Sequence, residues 1–170
     1  FTAIEYQTFV LEQAQLALDM DQLDYAITLV KPFKSHEALM IQAEALFRLN
    51  KHKLCLQICH NLLTNFSLPD LTRGIIHNLI GRCHQGGDYD LATNEFDLAI
   101  EYLSKTFNLR HLSHAQINLA TAFIHLEEIE EAIQTLNRAE EVCKLTQDLV
   151  GMKIIEKNKA YIHRIIASKY

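Results

Sequence analysis

The chain has little glycine and proline, no block of basic residues and no long run of apolar ones. Five glycines and two prolines in 170 residues leave little material for long loops. The net charge is −5, and without clustered Lys and Arg we expect no direct nucleic-acid partner. No apolar stretch reaches the roughly 20 residues that a membrane-spanning helix needs, so we expect no membrane partner either.

Signals for secretion and for disulfide pairing are also missing. The four cysteines follow no disulfide-framework spacing, which suits thiols buried in a reducing compartment and a cytoplasmic location. No signal-peptide pattern is found, and the chain begins with Phe1 rather than methionine, so we expect a piece of a longer protein. The apolar content of 49% is enough for a continuous core.

What the sequence does contain is a repeated pair of helical patterns, which is clearest over residues 78–103. Two one-sided apolar stripes are separated by Gly86, Gly87 and Asp88, which break the helical pattern between them. The same pair recurs 40 residues later. The matching apolar positions are Leu79, Ile80, Cys83, Ala92, Phe96 and Ala99 in one copy, and Leu119, Ala120, Phe123, Ala132, Leu136 and Ala139 in the next.

These residues resemble the tetratricopeptide repeat family. Its signature is a small residue in the first helix, a Gly-Asp-Tyr turn, and then Ala, an aromatic residue and Ala on the second helix. The segment GGDYDLA at 86–92, followed by Phe96 and Ala99, is a close match, and 115–139 is nearly as good. The spacing is similar to the longer repeats of bacterial regulatory and sensor proteins. The resemblance implies an all-α fold, a right-handed α-solenoid of helix-turn-helix repeats.

The patterns predict a single repeat domain over 1–170. Because each helix has only one apolar stripe, each needs neighbours on both sides to bury it. The predicted helix pairs lie at about 4–31, 35–65, 69–107 and 110–145, and a final helix lies at 148–168.

Three asparagines recur on the helices that line the concave groove of such a stack. Asn78, Asn118 and Asn158 are spaced at intervals of 40 residues and therefore form a ladder. A side-chain amide offers one acceptor and two N–H donors, so a ladder of them would bind an extended peptide backbone whatever its side chains. The alternative is that asparagine is simply common at this position of the repeat.

Other groove positions suggest an amphipathic ligand. Near the C-terminal end, Lys157, Tyr161 and Arg164 would meet a carboxylate, or would simply be solvated residues of the groove. The remaining candidates for the ligand-binding groove are His77, Thr121 and His125.

A metal site is the weaker interpretation of the His and Cys residues. His52, Cys55 and Cys59 share one face of a helix, but zinc needs four convergent ligands, and adjacent turns of one helix rarely supply them. Packing between helices therefore explains the two cysteines better. We find no catalytic set and no glycine-rich loop after a strand, so we expect neither enzyme activity nor a cofactor.

The sequence therefore predicts a recognition module that binds a peptide or protein segment, as the sensor or interaction part of a larger bacterial regulatory protein. One alternative is a scaffold that self-associates as a homodimer through the apolar face of its final helix. The other is a metal-binding domain that uses His and Cys.

Overall fold

The computed structural model describes residues 2–169, which form nine α-helices. No strand is present in that range, and the predicted all-α class is confirmed. The helices belong to two compact units, one ending at Leu68 and one beginning at Pro69. The first unit contains α1 (Ala3–Asp19), α2 (Leu23–Val30), α3 (His36–Arg48) and α4 (His52–Asn65). The second contains α5 (Asp70–His84), α6 (Tyr89–Leu103), α7 (Leu109–His125), α8 (Ile129–Thr146) and α9 (Leu149–Ser168).

Small residues hold the helices of the first unit close together. Ala14 of α1, Ala26 of α2 and Ala45 of α3 are fully buried in one cluster. At the end of α3, the guanidinium Nη1 of Arg48 donates a hydrogen bond of 3.0 Å to the carbonyl oxygen of Leu18 on α1. Alanine at the contact allows short distances between helix axes, because the side chains there set the separation.

In the second unit, α5 packs against α6 through two glycines, Gly74 and Gly81. They are seven residues apart, about two turns, so they lie on the same face of α5. A Cβ atom added to Gly81 would lie 2.5 Å from Cε1 of Phe96, and one added to Gly74 would lie 2.5 Å from Cγ of Leu103. Neither position admits a larger residue unless the α6 side chain moves.

The later helices of this unit pack their apolar stripes in series. Leu119 of α7 packs against Ala92 and Phe96 of α6, and Ile155 of α9 packs in a cluster with Leu136 of α8. Each large side chain that is fully buried contributes about 1.5–3 kcal/mol of hydrophobic stabilisation. In this arrangement α7 contacts both α5 and α9, so the three helices that carry the asparagines lie side by side.

Four helices of the described chain end at a non-glycine residue in the left-handed conformation. After α7, for example, Glu127 has φ of 61°, and the N–H of Glu128 donates to the carbonyl of Phe123 at 2.9 Å. This closure is the Schellman motif, which satisfies carbonyl groups at the end of the helix and starts the next helix at once. The residues at this position are Asp21, Asn50, Glu127 and Gln147.

Candidate functional site

The candidate site is the surface of the second unit where Asn78 of α5, Asn118 of α7 and Asn158 of α9 lie. We call it the ladder face. Asn118 donates through Nδ2 to Oδ1 of Asn78 at 3.0 Å. Asn158 donates through Nδ2 to the hydroxyl oxygen of Thr121 at 3.1 Å. All four residues are partly exposed to solvent. The structure therefore places the three predicted asparagines and Thr121 in a row across three helices, held by two separate hydrogen-bonded pairs.

The hydrogen bonds within the row use only part of the capacity of the amides. A side-chain amide has two N–H donors and an oxygen that accepts two hydrogen bonds. After the bond between them, Asn118 retains one N–H and its oxygen, and Asn78 retains both N–H groups. Asn158 likewise retains one N–H and its oxygen. Donors and acceptors therefore remain on the same row, which is what a peptide bond requires of a partner.

Two further contacts fix the row to its helices. The hydroxyl of Thr121 donates to the carbonyl of Ile117 at 2.9 Å, which orients the oxygen that Asn158 uses. Gln85, at the end of α5, donates through Nε2 to the carbonyl oxygen of Asn118 at 3.3 Å. Sequence reasoning missed Gln85, although its position seven residues after Asn78 places it on the same helix face.

The side chain of His77 contacts residues of α6 and not the row of asparagines. Its ring nitrogen Nδ1 lies 2.7 Å from Oε2 of Glu95, and the ring stacks on Tyr102 at a centroid distance of 5.5 Å. Only 13% of the His77 side chain is exposed. These contacts belong to the α5–α6 pair and do not join His77 to Asn78.

His125 is the last residue of α7 and is exposed. Its ring stacks on Tyr89 of α6 at a centroid distance of 4.5 Å and an interplanar angle of 14°. The partner again comes from the neighbouring helix. This stacking covers one face of the His125 ring, and the rest of the side chain is exposed.

On α9 the three candidate side chains are exposed. At about 100° per residue, Tyr161 lies about 60° from Asn158 around the helix, and Lys157 and Arg164 lie about 100–120° away on the same side. Tyr161 is 52% exposed. Lys157 and Arg164 make no ion pair with any residue between 2 and 169. The next α9 lysine, Lys159, is 2.9 Å from Oε2 of Glu140.

Charge is divided between alternate helices of this unit. Counting the helical residues between Asp70 and Ser168, α5, α7 and α9 carry seven Lys or Arg and two Asp or Glu. In contrast, α6 and α8 carry two Lys or Arg and eight Asp or Glu. The three helices of the ladder face are therefore basic, although the whole chain has a net charge of −5.

A second polar cluster, away from the row, joins α7 to the start of α9. The buried Asp148 accepts hydrogen bonds from the backbone N–H of Gly151 at 3.0 Å and from Nε2 of His114 at 2.8 Å. The Gly151 hydrogen bond is the main cause that lowers the pKa of Asp148; burial opposes it, and His114 adds to the lowering. The cluster caps α9 through its first backbone N–H groups.

The same cluster does not provide a reactive nucleophile. Burial is the main cause that raises the pKa of the Cys143 thiol, which keeps the less reactive protonated form. The hydroxyl of Ser113 is buried and donates to the carbonyl of Arg110 at 3.0 Å. His114 is directed to Asp148 instead of either group.

The predicted alternative of a metal site has no geometric support among residues 2–169. No group of three or more His, Cys, Asp or Glu side chains in that range is placed to hold a metal ion. Cys55 and Cys59 are fully buried, with their sulfur atoms 4.0 Å apart, and the His52 ring stacks on Phe47 at 5.2 Å. The two cysteines occupy packing positions between helices.

Within the part of the chain that the structure describes, no helix combines the length and apolar character that crossing a membrane demands.

Comparison with solved structures identifies proteins that share this fold. The chain is similar to the apo form of RapI, with a TM-score of 0.72 and 16% identity over 96% of this chain and 71% of RapI. It is also similar to PlcR of Bacillus thuringiensis, solved in complex with the peptide PapR7 and DNA. That match has a TM-score of 0.78 and 16% identity, over 98% of this chain and 65% of PlcR.

No protein-family model and no curated protein sequence matches the chain. At 16% identity, the similarity to these two structures is evidence for the fold alone. With the helix pairs described above, they confirm the predicted fold class, an all-α solenoid of repeated helix pairs.

Proposed function

We propose that the ladder face binds a peptide or an extended protein segment through Asn78, Asn118 and Asn158. In this proposal the chain is a recognition module, not a catalyst, and belongs to a larger regulatory protein of the bacterial cytoplasm. Ligand binding controls an attached effector by favouring one arrangement of the helices over others.

The observation that carries the proposal is the hydrogen bond of 3.0 Å between Asn118 and Asn78. It holds two side-chain amides in fixed positions on adjacent helices, so binding loses little rotamer entropy. The unused N–H and oxygen of these amides match the C=O and N–H of a peptide backbone. PlcR, which shares the fold, has been solved with a peptide bound, and this supports a peptide as the ligand here.

The test is to select peptides with the purified chain from a pooled library of random heptapeptides and to identify them by mass spectrometry. The best binder is then labelled, and its affinity is measured by fluorescence anisotropy for the wild type, Asn118→Ala and Asn158→Ala. Loss of a hydrogen bond at a desolvated amide is worth about 1–3 kcal/mol, so we expect each variant to bind about 5- to 150-fold more weakly.

The matched control is Asn137→Ala, because Asn137 is an exposed asparagine on α8 and not on the ladder face. We expect this variant to bind as the wild type does. The proposal is overturned if the library yields no peptide beyond those recovered by the Asn118→Ala, Asn158→Ala double variant. Equal affinity for the wild type and both single variants would also overturn it.

A second candidate function is self-association, and exposed apolar side chains at the start of α9 favour it. Leu149 is 74% exposed and Val150 is 61% exposed, and Leu145 at the end of α8 is 78% exposed. A second copy of the chain would cover this surface in a homodimer. Sedimentation velocity over a hundredfold range of concentration tests it. A monomer at every concentration, or a dimer that persists in the Leu149→Asp, Val150→Asp variant, would contradict it.

A further inference from the structure

We infer that the ligand of the ladder face is anionic and that one of its carboxylates binds between Lys157 and Arg164 on α9. This inference rests on the proposed function, and it adds the charge of the ligand and the place where its carboxylate binds. The side-chain amides of the row are neutral and hold the backbone, whereas the two cations select for a carboxylate.

Charge is divided between the helices of the second unit in a way that favours an anionic ligand. The three helices that form the ladder face have a surplus of five positive charges between Asp70 and Ser168, whereas α6 and α8 have a surplus of six negative charges. In a chain whose net charge is −5, the surplus of positive charge therefore lies on the three helices that carry the row of amides. Such a surface attracts anions and repels cations as a ligand approaches.

Lys157 and Arg164 have no ion-pair partner of their own within residues 2–169. By contrast, Lys159 is paired with Glu140, and Arg110 lies near enough to Asp148 to contribute to the lowering of its pKa. A cation without an internal partner is free to bind an external carboxylate. The guanidinium group of Arg164 suits a carboxylate, because its N–H groups can bind both oxygens.

The two cations are also close enough together to bind one ligand. Lys157 and Arg164 are seven residues apart, so they lie on one face of α9 about 10 Å from each other. Tyr161 and Ile154 lie on the same face, between the cations and Asn158, and both are exposed. A ligand that extends from Asn158 across α9 would therefore contact an apolar strip and then the two cations.

A carboxylate of this kind has two sources, the C-terminus of a peptide or an Asp or Glu side chain. The best heptapeptide from the selection is therefore prepared in three forms: with its native ends, with an amidated C-terminus, and with each Asp or Glu replaced by Asn or Gln. Affinities are measured at 50 and 300 mM salt. We expect one of the two altered forms to bind at least about tenfold more weakly, because a charged hydrogen bond has been lost.

The variants are Lys157→Gln and Arg164→Gln, and the matched control is Lys144→Gln, which removes an exposed lysine from α8. We expect each of the first two to weaken binding of the carboxylate-bearing peptide about 2- to 5-fold and to reduce the salt dependence of that binding. These two variants should bind the neutralised peptide with the same affinity as the wild type. The control variant should bind both peptides with the same affinity as the wild type.

The failure of this inference is distinguishable from the failure of the proposed function. Selected peptides that are neutral, or whose affinity depends on Asn118 and not on Lys157 or Arg164, would overturn the carboxylate site and leave the ladder intact. Binding of a 20-base-pair DNA duplex, with competition against the selected peptide, would also overturn it, since phosphates would then be the natural anion. As a positive test, Arg164→Glu should gain affinity for the peptide that carries Lys in place of its Asp or Glu.

Discussion

The substitution Gly81→Ala tests how tightly α5 packs against α6. The added Cβ would lie 2.5 Å from Cε1, 2.7 Å from Cδ1 and 3.0 Å from Cζ of Phe96. Carbon atoms in ordinary contact are about 3.5–4.0 Å apart, so the ring or the helix must move by about 1 Å. Phe96 is fully buried, and the ring therefore has no open space to enter.

The expected magnitude comes from two opposing terms. Overpacking of a buried site costs about 1–3 kcal/mol. Alanine in a helix interior is favoured over glycine by about 1 kcal/mol, which offsets part of that cost. The two terms leave a net cost of about 0–2 kcal/mol, and we expect Gly81→Ala to lower the free energy of unfolding of the second unit by about 1 kcal/mol, the middle of that range.

The assay must report on the second unit by itself, because the chain forms two compact units whose unfolding can be separate. Urea denaturation followed by hydrogen exchange and mass spectrometry provides this, since peptides from α5 and α6 can be followed individually. The control is Gly87→Ala, because a Cβ at Gly87 would meet no atom within 4 Å. We expect this control to be neutral within about 0.5 kcal/mol.

Coupling to Phe96 identifies the cause. Phe96→Leu alone should destabilise the unit, but in its presence Gly81→Ala should cost less than it does in the wild type, by about 0.5–2 kcal/mol of interaction energy. A Gly81→Ala variant as stable as the wild type, or a cost that is the same with and without the Phe96→Leu substitution, would refute the close packing.

Three more predictions concern the turns, the polar cluster and the thiols. Glu127→Gly should stabilise the second unit by up to about 1 kcal/mol in urea denaturation, since relief of the left-handed conformation exceeds the entropy cost of glycine; a loss would contradict this. Because the folded pKa of Asp148 is lowered, it stabilises the fold above about pH 4, and this contribution disappears as the pH falls through the folded value. Asp148→Asn should therefore lower stability at pH 7 by about 1 kcal/mol and flatten the acid branch of the pH profile; an unchanged profile would count against it. All four cysteines are buried, so Ellman's reagent should label none within minutes in the native chain and all four in 6 M guanidinium; rapid native labelling would show that the cores open.

The fold was accessible from the sequence because the information is local and repeated. Apolar residues at helical spacing predict each helix, and the recurrence of the pattern after 40 residues predicts that the helices pack as repeated pairs. The turns were harder to predict from the sequence. Glu127 and Gln147 are not residues that typically adopt positive φ, so nothing in their identity indicates the helix ends that they form.

Part of the candidate site could likewise be predicted from the sequence, and part could not. The row of asparagines followed from the interval of 40 residues, since equivalent positions of stacked repeats lie next to each other. Gln85, which donates to the carbonyl of Asn118, was missed because it is the capping residue after α5, and helical spacing from Asn78 is the one signal that points to it. The carboxylate-binding role of Lys157 and Arg164 stays a prediction.

The sequence alone determined the helical class, the pairing of helices and the helices on which the asparagines lie, because each depends on the spacing of residues along the chain. Only the tertiary structure decided which neighbour each side chain meets. His77 is next to Asn78 in the sequence, but its direction on α5, about 100° away, brings it to Glu95 and Tyr102 of α6. Such contacts depend on the distance and rotation between packed helices, and those are set by close fits such as Gly81 against Phe96.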